Sequence, residues 1–129
     1  MSIIEDVRGT VLLAEDDESV RAAVGATFEY CGFAVVYAAD GEEALGAWQA
    51  AETPFDGLVS DVMMPRRDGL SLTKAVLAEC PNLPVVLMSG YSDDPSLGGL
   101  IDLANVIFLQ KPFVPRRLVD ALSSLLPVD

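Results

Sequence analysis

Four short stretches hold the residues able to do chemistry. "AEDDES" (14–19) carries successive carboxylates, Glu15, Asp16 and Asp17, with Glu18 next at the start of the expected first helix. Asp61 stands in "LVSDVMMPRRDG" (58–69), Ser89 in "VVLMSG" (85–90) and Lys111 in "FLQKPF" (108–113). Adjacent carboxylates repel, and burying even one is costly. Such a run is either solvated in a loop or built around positive charge. Glu15, Asp16 and Asp61 together bring three negative charges, which a divalent cation and Lys111 would balance. A donor set made only of oxygens suits Mg²⁺, which takes a few carboxylates and keeps several waters.

These residues must be brought together by the elements that precede them. "TVLLA" (10–14), "FAVVYA" (33–38), "DGLVSD" (56–61), "PVVLMS" (84–89) and "NVIFLQ" (105–110) read as strands. Helical spacing runs from Glu18 to Tyr30, with Val20, Val24, Thr27, Phe28 and Cys31 on one face and Gly32 as the stop. Further helices are expected over 40–51, 70–79, 96–104 and 115–126. Ala44, Leu45 and Trp48 face inward in the second, and Leu118, Leu122 and Leu125 in the last. Thr53-Pro54 and Pro81 end two of them, and "PRRDG" (65–69) reads as a turn. Gly98 and Gly99 weaken the fourth helix by roughly 1 kcal/mol each.

Strand and helix thus alternate five times. Strands one, three, four and five are continuous apolar runs, the pattern of strands buried on both faces of a parallel sheet. The expected fold is a doubly wound α/β domain, a three-layer α/β/α sandwich with five parallel strands in flavodoxin-like order 2-1-3-4-5. It occupies residues 1–129 as one domain, its core at about 10–126. Helices one and five would share one face, helices two to four the other. Cys31 and Cys80, read as small buried thiols at helix ends, would lie on opposite faces and could not pair. Ligands in such sheets bind at the carboxyl ends of the strands, where all four stretches converge.

Composition removes several alternatives. Of 129 residues none is histidine, which excludes Ser-His-Asp, Cys-His and His-metal chemistry. A net charge of −12 opposes direct nucleic-acid binding. No apolar run approaches the roughly 20 residues of a membrane span, and the N-terminus lacks a signal-peptide core, so a cytoplasmic location is expected.

As a set, "LLAEDDESVR", "LVSDVMMPRRDG", "VVLMSG" and "FLQKPF" closely resemble the receiver domains of two-component response regulators, the CheY-like phosphorelay modules. The resemblance spans roughly residues 10–126 and is nearest to receivers of hybrid histidine kinases or single-domain regulators. It implies that Asp61 is the phosphoacceptor, and that Ser89 and Lys111 contact the phosphoryl group. It implies Mg²⁺, or Mn²⁺ in its place, at Glu15, Asp16, Asp61 and the Met63 backbone carbonyl. Ser89 and Phe108 would be the switch residues and Pro112 a cis proline. Arg21, six positions on from Glu15, matches the family's arginine-type position and sets the register of the acidic pair. Asp17 is then left to cap the first helix.

The resemblance further implies a histidine kinase or histidine phosphotransfer domain as donor, and a signalling domain rather than an enzyme. It implies an unidentified downstream protein, and a homodimer is conceivable, both through the helix 4/strand 5/helix 5 surface. Met63 and Tyr91 occupy positions that tune acyl-phosphate lifetime. Both are bulky and neither can position water, so slow self-dephosphorylation is expected. A haloacid-dehalogenase-like hydrolase would need a second Asp where Met63 stands. A flavin binder would not place acids beside a phosphate. A degenerate receiver, acting as a phosphorylation-independent interaction module, would be expected to lack a site residue, and none is lacking.

Overall fold

The computed structural model describes residues 8–90, 98–111 and 113–127. Five strands alternate with five helices: β1 (Gly9–Ala14), α1 (Glu18–Tyr30), β2 (Phe33–Ala38), α2 (Gly41–Ala50), β3 (Gly57–Asp61), α3 (Gly69–Glu79), β4 (Val85–Ser89), α4 (Gly98–Ile101), β5 (Val106–Gln110) and α5 (Pro115–Leu125). The strands form one parallel sheet in the expected order, β2-β1-β3-β4-β5.

The central strands are buried because helices cover both of their faces. Every residue of β3 and β4 is buried, as are Val11 to Ala14 of β1. Alternate side chains go to opposite layers. Leu12, Leu58, Val85 and Leu87 join Ala44, Leu72 and Val76 on the α2/α3 side. Val11, Leu13, Val59, Val86 and Met88 meet Val24, Phe28, Leu118 and Leu122 on the α1/α5 side. Burying one such leucine stabilises the fold by about 1.5–3 kcal/mol, so the two layers hold the strand ends firmly.

Several expectations change at the margins. β5 is an edge strand, paired with β4 alone, and Ile107, Phe108 and Leu109 are only half-buried. The edge position follows from the expected order; what differs is the burial, which the continuous apolar run had suggested on both faces. α4 ends at Ile101 instead of Ala104, where the Leu103 N–H closes a tight turn onto the Leu100 carbonyl at 3.1 Å. The expected start of that helix, residues 96–97, lies outside the described residues. Leu125 is half-buried, while Val119 takes a full place in the core. Cys31 and Cys80 follow α1 and α3 on opposite layers, both free and half-buried rather than fully enclosed.

The acidic run separates at its third member. Asp17 is the N-cap of α1, and its Oδ1 accepts from the Ser19 N–H at 2.9 Å and the Val20 N–H at 3.1 Å. These bonds hold its carboxyl below the usual range. Asp17→Ala is expected to lower the thermal midpoint by a few degrees through the lost cap, with Mg²⁺ affinity close to the parent's. Parallel melts and metal titrations check it.

Candidate functional site: an acidic pocket at the strand ends

β1 delivers Glu15 and Asp16, β3 ends on Asp61, β4 ends on Ser89, and Lys111 follows β5. Asp61 pairs in register with Met88, which puts Ser89 one residue further along at the same rim. Glu15, Asp61 and Ser89 are buried, whereas Asp16 is exposed. One oxygen from each of Glu15, Asp16 and Asp61 lies within 4.8 Å of the others.

Each member is held by its own local contacts. The Lys111 Nζ donates to Asp61 Oδ2 at 2.8 Å and stands 3.8 Å from Glu15 Oε1. Asp61 Oδ1 accepts from the Met63 N–H at 3.2 Å. The Lys111 backbone N–H donates to the Ser89 carbonyl at 2.7 Å, which ties the lysine to β4. Arg21 reaches back from α1, its Nη1 donating to the Glu15 carbonyl at 2.9 Å. That contact explains why an arginine six residues on reports the register of the acidic pair. The β3–α3 loop folds tightly over Asp61. A Cβ at Gly69 would stand 2.1 Å from the Asp61 carbonyl oxygen, so only glycine fits there.

Glu15 is the strained member. Its Oε2 accepts from the Asp17 N–H at 2.9 Å, but its buried Oε1 has no hydrogen-bond partner. Burial pushes the carboxyl up to about 7, and the neighbouring Asp61 charge adds to this, against the pull of the Asp17 N–H and Lys111. Burial alone would pull Lys111 down, but its hydrogen bond and charge contact with Asp61, helped by Glu15 and Asp16, hold it above the ordinary lysine value. A divalent cation would give the orphaned Glu15 oxygen a partner and lower the mutual repulsion of three carboxylates. The donor set therefore fits one hard cation.

The remaining sequence candidates are more scattered. Met63 is 66% exposed, its backbone N–H bound to Asp61 Oδ1. Phe108 is half-buried against the α2/α3 core layer. Gly90 is exposed, with open space where a side chain would be. Pro112 and Tyr91 lie outside the described residues. Sequence reasoning left Arg66 and Arg67 as mere turn residues. The structure joins them to α2, Arg66 to Asp40 and Arg67 Nε to Glu42 Oε1 at 2.8 Å. A pair of arginines in a turn, set against the acid-rich start of a helix, was the one available signal.

The family model for the response regulator receiver domain matches residues 11–123. The chain belongs to that family. Receivers bind Mg²⁺ at an acidic pocket, and this receiver has an acidic cluster of Glu15, Asp16 and Asp61. It is 39% identical over 113 residues to the C4-dicarboxylate transport transcriptional regulatory protein DctD of Rhizobium meliloti, covering 87% of this chain and 24% of that protein. It is 34% identical over 117 residues to the sensor kinase CckA of Brucella abortus, covering 91% of this chain and 12% of that protein. This receiver therefore spans only a fraction of such relatives. Among solved structures, the chemotaxis response regulator CheY4 of Vibrio cholerae is 32% identical, with a TM-score of 0.77, over 91% of this chain and 98% of that one. The receiver domain from the hybrid histidine kinase CckA is 34% identical, with a TM-score of 0.73, over 92% of this chain and 100% of that one.

The raised Glu15 value gives the metal-free receiver a defined pH response. Below about 4.5 Glu15 is protonated both folded and unfolded; between there and about 7 only the folded state keeps the proton. Its contribution to stability is thus full at the acid end and lost as pH rises through that window. In EDTA, Glu15→Gln is expected to be more stable than the parent at about pH 8 and nearly neutral at about pH 5. Denaturant melts at the two pH values check it.

Proposed function

We propose that this receiver takes a phosphoryl group onto Asp61 from a phosphohistidine of a histidine kinase or phosphotransfer domain, in a Mg²⁺-dependent reaction. The P–N bond of the donor breaks, an Asp61 carboxylate oxygen bonds to phosphorus, and the donor imidazole leaves neutral after taking up a proton. The observation that carries the reading is the convergence of Asp61, Lys111 and two further carboxylates, one with an orphaned oxygen, at one rim of the sheet. Glu15, Asp16, Asp61 and the Met63 carbonyl would hold the cation, Glu15 through water. When bound, the cation neutralises charge that builds on the phosphoryl oxygens.

The chain's own groups do the rest. Lys111 orients the Asp61 carboxylate and then pairs with a phosphoryl oxygen. Ser89 donates to the phosphoryl group, and Gly90 leaves room for its entry. Readout is a population shift in which Ser89 moves toward the phosphoryl group and Phe108 turns inward. The half-buried β5 supports a face of modest local stability, as a switching surface needs. That face would meet the downstream protein or a second copy of the chain.

Acetyl phosphate in Mg²⁺, followed by intact-mass analysis, tests the reading. One phosphoryl adduct is expected on the parent, and none on Asp61→Asn or in EDTA. Asp16→Ala is expected to lose at least about 90% of the adduct, more than 1.4 kcal/mol of lost reactivity. Phosphorylation that survives Asp61→Asn would overturn the assignment. No adduct on the parent, and no response to beryllofluoride, would mark a degenerate receiver acting only as a binding module.

Met63 bears on how long the adduct lasts. Two residues beyond Asp61, its exposed thioether side chain can shield the acyl phosphate but cannot position water. Met63→Asn is therefore expected to shorten the phosphorylated lifetime several-fold, read by the decay of the adduct after donor removal.

A further inference from the structure

Arg66 sits at φ 69°, in the left-handed region that non-glycine residues rarely occupy. Across it, the Arg67 N–H donates to the Pro65 carbonyl at 2.8 Å. A hydrogen bond of that span around a positive φ is the γ-turn of the rarer, strained hand. Glycine would take this conformation without steric cost. An arginine there has to be justified by its side chain.

That side chain reaches α2. Its Nη1 donates to Asp40 Oδ2, and the two form an ion pair. The Asp40 side chain is 9% exposed against 67% for Arg66. Asp40 is also the N-cap of α2, its Oδ1 accepting from the Glu43 N–H at 2.8 Å. One carboxylate therefore fixes a helix start with one oxygen and the strained turn with the other. Arg67 adds a second tie, donating to Glu42 and, at 2.9 Å, to Ser71 Oγ. The backbones are in contact as well, since a Cβ at Gly41 would stand 2.0 Å from the Arg67 carbonyl oxygen.

The turn belongs to the loop that follows Asp61. At the near end of that loop, the Met63 N–H binds Asp61 Oδ1. At its far end, the Gly69 N–H donates to the Val62 carbonyl at 2.8 Å. The segment between these anchors carries the turn and faces α2. We propose that Arg66 is a positioning residue: through its ion pair with Asp40 it holds the γ-turn on α2, and so fixes the Met63 main chain beside Asp61 for cation binding. This deepens the metal reading above and rests on it. An exposed ion pair is ordinarily weak because both side chains must be immobilised. Here Asp40 is already fixed by its capping bond, and the Arg66 backbone by its turn.

Calorimetric Mg²⁺ titrations and thermal melts of the full chain test the proposal on the parent, Arg66→Gly, Arg66→Lys and Asp40→Asn. Arg66→Gly, freed of the strained φ, is expected to melt no lower than the parent yet bind Mg²⁺ about threefold more weakly, the scale of one partly exposed ion pair. Arg66→Lys keeps the charge and stays near the parent. Asp40→Asn keeps an acceptor for the Glu43 N–H, loses the ion pair, and weakens binding as Arg66→Gly does. The double variant weakens it no further, because both changes remove one interaction. If the parent binds Mg²⁺ and Arg66→Gly binds it equally tightly, the positioning role is overturned and the metal site stands. A parent with no saturable Mg²⁺ binding overturns the metal reading itself, and this inference with it.

Discussion

The Lys111 ammonium lies 2.8 Å from Asp61 and 3.8 Å from Glu15, one positive charge set against two buried carboxylates. Asp16 adds a third acid at the solvent side of the same cluster. A single lysine cannot satisfy this arrangement. Glu15 responds by drifting toward neutrality, and the oxygen that faces Lys111 at 3.8 Å is left without a hydrogen-bond partner. Buried unpaired charge costs several kcal/mol, so an arrangement like this persists only where something else offsets it. The pocket is thus stable enough to exist and unsatisfied enough to attract a cation.

The rest of the fold serves to hold those charges together. Parallel strands place all their carboxyl ends at one rim, and the order β2-β1-β3-β4-β5 makes β1, β3 and β4 neighbours there. Two apolar layers fix the sheet, so the strand ends cannot relax apart to relieve the repulsion. The loops add finer control. Arg21 ties α1 to the Glu15 carbonyl, Gly69 lets α3 start against the Asp61 carbonyl, and Arg66 and Arg67 moor the intervening loop on α2. The β5 side is the less buried one, because β5 is an edge strand.

Much of this was legible in the sequence because the relevant signals are local. Apolar runs marked the strands, and the residue after each run marked the rim. Asp17 could be told from Glu15 and Asp16 because the family resemblance, through Arg21, set the acidic pair and left Asp17 directly before a helix, which it caps. What the sequence could not show depends on contacts between distant residues. Nothing near Arg66 announces Asp40, and a five-residue turn with two arginines reads as solvated. Likewise the apolar run of "NVIFLQ" overstates how deeply β5 is buried, although the expected strand order already puts it at an edge. The missing hydrogen bond at Glu15 Oε1 was equally invisible, since burial of one atom is decided by the packing of several elements at once.

The account stands or falls on whether the strained carboxylate cluster is completed by a divalent cation. Glu15, raised to about 7, is largely protonated just below neutral pH, and a carboxylate that would hold a cation, here through water, favours binding in its ionised form. The direct measurement is Mg²⁺ calorimetry near pH 6.5 in buffers of differing ionisation enthalpy, on the parent and on Glu15→Gln. Saturable binding with proton release in the parent, and loss of that release in the variant, is the result the account requires. An absence of saturable binding, or binding in the parent whose heat does not depend on the buffer, would contradict it.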